Sequence, residues 1–132
     1  MAKEKKNWFL VDIEVFCRNL LVIWGDKSAT RKGLEDFFED DVIDELMSDF
    51  TFKEDGRLVY SSQYNAYFIW LPKIPETVKE IGKLSHEIFH AVFALTENIG
   101  SVLSSDSEEF CAYLTGYLTE KILEDFSISF SA

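Results

Sequence analysis

A chain of 132 residues with a formal net charge of −11 is long enough to bury a core and too acidic to be drawn to a phosphate backbone. Its 47% hydrophobic and 15% aromatic content is too apolar for a disordered segment, and two Pro and six Gly exclude a linker-like composition. The expectation is one α+β domain over residues 1–132, with residues 1–7 and their "KEKK" run as a flexible basic tail. No leader pattern precedes the first apolar segment, no apolar run approaches membrane-spanning length, and Cys17 and Cys111 lie outside any C-x-x-C pattern. A cytoplasmic protein with no nucleic-acid or membrane partner follows as the expectation.

In chain order, "WFLVDIEVF" (Trp8 to Phe16) and "LLVIWGD" (Leu20 to Asp26) read as two strands joined by the short "CRN", a hairpin. From Ser28 to Phe50 the period changes. Leu34, Phe37, Phe38, Val42, Ile43 and Leu46 recur at helical spacing with acids opposite, which predicts one helix. "KEDGR" is a turn, and "LVY" (Leu58 to Tyr60) and "YNAYFIWL" (Tyr64 to Leu71) form a second hairpin around Ser61-Ser62-Gln63. Pro72 and Pro75 end that strand, and a helix opens near Pro75 or Glu76 and stops at Asn98 and Gly100. A last helix covers Glu108 to about Asp125. The order is β-β-α-β-β-α-α.

The chemistry concentrates in "KLSHEIFHAV", which holds both histidines of the chain. His86 and His90, four residues apart on a helix, present their rings on one face, one turn apart. Zn²⁺ takes nitrogen ligands at about 2.0–2.1 Å, and a rigid helix brings two of them together in advance. Glu87 is too close in sequence to ligate the same ion easily, but it can take a proton from a water held there, as a general base. The plain structural alternative is a pair of half-buried histidines making ordinary hydrogen bonds.

A catalytic zinc site needs a third protein ligand, and with no further histidine it has to be a carboxylate or a cysteine. "SSDSEEFCAYLTGYL" (Ser104 to Leu118) offers Glu108 and Glu109 at the start of the last helix. Glu109 shares a face with Ala112, Tyr113 and Gly116, and the small Ala112 and Gly116 suit a close seam against the His helix. Glu108 lies on the side of Cys111, Thr115 and Thr119. Ser105-x-x-Glu108 and Asp106-x-x-Glu109 both read as capping boxes. The preferred ligand is Glu109. Tyr113 and Tyr117 lie near enough to the expected seam to be considered as oxyanion donors, and neither is assigned.

"HEIFH" followed by "EFCAYL" resembles the gluzincin branch of the H-E-x-x-H zincin metallopeptidases, and is similar to small zinc peptidases of phages and mobile elements. The resemblance covers about Tyr64 to Leu118. It implies a small zincin-like domain with the H-E-x-x-H helix packed on a short sheet, and Zn²⁺ held by His86, His90 and Glu109. It further implies Glu87 as catalytic base and a peptide or protein substrate. Where gluzincins carry E-x-x-x-D, Tyr113 stands at the aspartate position. In zincins the strand before the His helix is an edge strand that binds substrate backbone, which would make "YNAYFIWL" the substrate platform, although an aromatic, branched strand is more often core. The rival expectation is a catalytically silent zincin-like binding or regulatory protein with a structural metal, its fourth ligand Cys111 or Glu108.

Overall fold

The computed structural model describes residues 6–16, 18–100 and 104–128. It divides into two compact units, Met1–Ile74 and Pro75–Ala132, where the sequence suggests one domain. The architecture is mixed α+β, and the sheet and the H-E-x-x-H helix belong to different units.

The first unit holds β1 (Trp8–Ile13), a 3-10 turn at Glu14–Phe16, β2 (Arg18–Trp24), α1 (Lys27–Leu34), α2 (Asp40–Leu46), β3 (Arg57–Ser61) and β4 (Ala66–Leu71). Both expected hairpins form: β1 pairs antiparallel with β2, Trp8 opposite Ile23, and β3 pairs antiparallel with β4, Tyr60 opposite Tyr67. They join through a parallel β2–β4 pairing that sets Val22 beside Ile69, so the sheet order is β1-β2-β4-β3. β4 therefore has a hydrogen-bonded neighbour on each side and is buried at every position. This bears out the core reading of that segment and rules out the substrate platform, because its backbone groups are already used. The edges are β1 and β3.

The single helix expected over 28–50 is two helices, so the chain runs β-β-α-α-β-β-α-α. Past Leu34 the ladder tightens, with Phe37 N–H and Phe38 N–H both donating to Leu34 C=O at 2.9 Å. A continuous helix would stack Glu35 over Glu39 and Asp36 over Asp40, like charges one turn apart. The break instead sets Asp40 and Asp41 in the first turn of α2, where the helix dipole favours them. It also frees the adjacent Phe37 and Phe38 for different partners: Phe37 stands edge-on to Trp8 at 4.7 Å, and Phe38 lies against Phe68 at 6.5 Å.

The core under these helices gathers Leu21, Ile23, Leu34, Ile43, Met47, Phe68 and Trp70. Trp70 sits between Phe50 and Phe52, and its indole N–H donates to Gly25 C=O at 3.1 Å and to Thr30 Oγ1 at 3.0 Å, satisfying the one polar atom that burial would strand. Gly33 is required by close approach. A Cβ there would lie 2.7 Å from Ile23 Cδ1 and 2.8 Å from Asn7 Oδ1. Asn7 in turn donates through Nδ2 to Trp24 C=O at 2.8 Å and Ala29 C=O at 2.9 Å. The basic tail therefore ends before Asn7, which is pinned into the fold; residues 1–5 lie outside the described chain.

The second unit is a pair of helices, α3 (Val78–Asn98) and α4 (Glu108–Asp125). α3 starts two or three residues later than Pro75 or Glu76, because Thr77 caps it. The Thr77 hydroxyl accepts from Glu80 N–H at 3.1 Å while the Glu80 carboxylate accepts from Thr77 N–H at 3.0 Å, a complete capping box. Gly100, at φ +78°, turns the chain out of the helix with its N–H on Glu97 C=O. α4 has the bounds expected for it. Its N-cap is Ser107, without a side-chain cap bond, so neither capping box expected around Glu108 and Glu109 forms.

Candidate metal centre

The capping box fixes where α3 begins, and Leu84, Ile88, Ala91, Val92 and Leu95 give it a buried stripe at spacings of three and four. The residues between fall on the other side. At about 100° per residue, His86, Phe89, His90, Phe93 and Glu97 share an arc of roughly 100° directed away from that stripe. All five are exposed, Phe89 by 51% and Phe93 by 41%.

On this face the two Nε2 atoms stand 3.1 Å apart, the rings edge to face with centroids at 4.7 Å. As free imidazoles, one ring N–H donates to the other nitrogen. Two nitrogens bound to one tetrahedral ion at about 2.0–2.1 Å would be about 3.3 Å apart, so the pair needs almost no rearrangement to chelate. No other hydrogen bond engages either ring among the described residues.

Glu87 sits at the flank between the exposed arc and the buried stripe. Its carboxylate and the two imidazoles offer ligand atoms that all lie within 4.8 Å of one another. The residue is only 7% exposed, and among the described residues its side chain has no hydrogen bond or ion pair. Its oxygens keep their access to water, and no protein group among the described residues competes with a positive charge at the adjacent pair.

The structure does not bring Glu109 to this cluster. α4 buries Cys111, Leu114, Leu118 and Ile122, a stripe at spacings of three and four, and Thr96 Oγ1 meets Cys111 Sγ at 3.6 Å between α3 and α4. The small residues mark the opposite side. Ala112 and Gly116 are exposed, and a Cβ on Gly116 would meet nothing within 4 Å. The seam expected along Glu109, Ala112 and Gly116 is thus a solvent face, and the apolar stripe is the true signal. Among the described residues, the ligand atoms that gather within 4.8 Å are those of His86, Glu87 and His90, and Glu109 is not one of them.

Glu108 is likewise exposed at the first turn, and Cys111 is buried beside Thr96 rather than turned to the histidines. Tyr113 is 69% exposed. In the sequence analysis the phenylalanines of α3 are assigned no role. Phe89 and Phe93 instead flank the His pair on the exposed face, and their spacing of three and seven from His86 was the available signal.

Among the described residues no helix is long and apolar enough to cross a membrane. Comparison with known proteins finds no family model, no curated protein and no solved structure that matches this chain.

Proposed function

We propose that this protein binds a divalent transition metal, zinc first, through His86 and His90 and is a metal-dependent hydrolase of peptide or protein amide bonds. The observation that carries the reading is the 3.1 Å separation of the two Nε2 atoms on a rigid, exposed helix face. The H-E-x-x-H spacing and the resemblance of the segment to gluzincins and to small phage-type zinc peptidases support it, as does the unpartnered Glu87 beside the pair. When bound, zinc would supply Lewis acidity, polarising a substrate carbonyl and lowering the pKa of water toward about 7. His86 and His90 hold the site open to solvent. Glu87 accepts the proton of the attacking water and delivers it to the leaving amine. The protein would work in the cytoplasm, where Cys111 stays a thiol.

The test is metal content by mass spectrometry on tag-free protein, followed by turnover of a peptide library. Wild type and Glu87→Gln should each carry about one zinc, His86→Ala none, and only wild type should cleave. Hydrolysis retained in Glu87→Gln would defeat the mechanism.

The separation of Glu109 from the His pair favours a second reading, a metal-binding protein of zincin type without catalysis. It predicts zinc on wild type and no cleavage of any peptide.

A further inference from the structure

We infer that a second copy of this chain completes the site, α3 packing antiparallel on α3 so that Glu97 of each copy becomes the third metal ligand at His86 and His90 of the other. The inference rests on the metal-binding reading above.

Two imidazoles are half of a tetrahedral site, and among the described residues only Glu87 joins them. Glu97 is an exposed carboxylate with no side-chain hydrogen bond or ion pair among the described residues. It stands in the last turn of α3, where the helix dipole disfavours an anion and no basic residue compensates. It also lies in the same arc as the His pair, eleven residues beyond His86. Within one helix that is three turns, far out of reach of the metal.

Across a two-fold axis the same spacing becomes an advantage. When the axis crosses α3 at the level between Ala91 and Val92, position 97 of one copy faces position 86 of the other, and position 93 faces position 90. Helical side chains lean toward their own N-terminus, which brings the carboxylate of Glu97 to the level between His86 and His90 of the opposing copy. Antiparallel helices approach to about 8–10 Å, within the combined reach of Glu and His.

The apolar residues of the arc fit the same contact. Phe89 and Phe93, 51% and 41% exposed, would pack across the axis, Phe93 against the ring of His90 and Phe89 beside Ala94. Each dimer would hold two sites of the His₂Glu kind, each with its fourth position open for water, as hydrolysis needs. Each copy carries a net charge of −11, so the copies repel until the metal removes two units of charge per site. Association should therefore depend on the metal.

Sedimentation velocity of the full chain, with chelator or with one equivalent of zinc chloride, tests this, with cobalt absorption reporting the coordination number. The expected result is a monomer in chelator and a dimer with one zinc per chain. Glu97→Gln should stay monomeric in zinc and bind it at least tenfold more weakly, Phe93→Glu should stay monomeric, and Glu109→Gln should behave as wild type. A wild-type monomer carrying one zinc per chain would overturn the inference and leave the metal-binding reading standing. A zinc dimer untouched by Glu97→Gln, or zinc lost in Glu109→Gln, would equally overturn it. No zinc uptake at all would remove the metal-binding reading, and the inference with it.

Discussion

Glu87→Gln should make the metal-free protein more stable. The side chain is 7% exposed and has no hydrogen bond or ion pair among the described residues. A fully buried, unsatisfied polar group costs about 1–3 kcal/mol, and glutamine keeps the shape while removing the charge. The Glu87 oxygens still reach water, since among the described residues Glu54 Oε2 is the buried side-chain oxygen without a partner, so the gain should be at most about 1 kcal/mol. For a chain of this size each kcal/mol moves Tm by about 3–5 °C, which predicts a rise of up to about 5 °C in chelator.

Zinc at a hundred times its Kd adds about 2.7 kcal/mol to any form that binds it when folded. Glu87→Gln should keep most of that increment, because Glu87 is not a ligand, and lose no more than about tenfold in affinity. Thermal unfolding followed by circular dichroism, with chelator and with zinc, reads all four states. A variant that melts lower than wild type in chelator would mean that Glu87 is a structural group. A zinc increment that vanishes in the variant would make Glu87 a ligand and not a base.

Gly33→Ala should destabilise by about 1 kcal/mol in urea unfolding. The 2.7 Å and 2.8 Å approaches to Ile23 and Asn7 outweigh the better helix propensity of alanine. Gly116→Ala, with open space around it, should gain up to about 1 kcal/mol in the same assay. Thr77→Ala removes one half of the capping box of α3 and should cost about 0.5–2 kcal/mol, seen as faster amide exchange in the first turn. The Thr51 hydroxyl, hydrogen-bonded to the Glu54 carboxylate, holds Glu54 below its ordinary pKa. That contribution is fully present above the unfolded value near 4.5 and is lost as pH falls through the lower folded value. Thr51→Val should therefore flatten the acid limb of the stability profile, which thermal melts between about pH 5 and 2 would register.

The parts of this fold that depend on local pattern were legible in the sequence. The two hairpins follow from alternating aromatic and branched runs around short polar turns, and α4 from apolar spacing bounded by Ser107 and Phe126. The break between α1 and α2 was not, because the apolar period runs unbroken through Phe37 and Phe38. Only the like charges at spacing four and the competing partners of the two rings oppose one helix. Pairing partners of strands are long-range, so nothing local to "YNAYFIWL" announced that β2 would occupy its other edge. At the site, the pairing of His86, Glu87 and His90 is a property of one helix and was readable. The position of Glu109 depends on how two helices cross, and there the small residues of α4 suggested the wrong face while Cys111, Leu114, Leu118 and Ile122 carried the right one.

The placement of β4 in the sheet also sets an order of events as the chain folds. The two hairpins close over a few residues each and can form early, but neither alone buries a face. The sheet exists only once Ile69 finds Val22, a closure across more than forty residues that α1, α2 and the loop through Phe50 and Phe52 have to span. Loop-closure entropy is lost before the contact is gained, so this step should govern the rate of the first unit. Trp70 is placed to report it, because its indole reaches Gly25 and Thr30 only after the two hairpins have joined. During synthesis the β1–β2 hairpin emerges first and keeps its β2 edge unpaired until the β4 segment has left the ribosome. The chain is most exposed to mispairing in that interval.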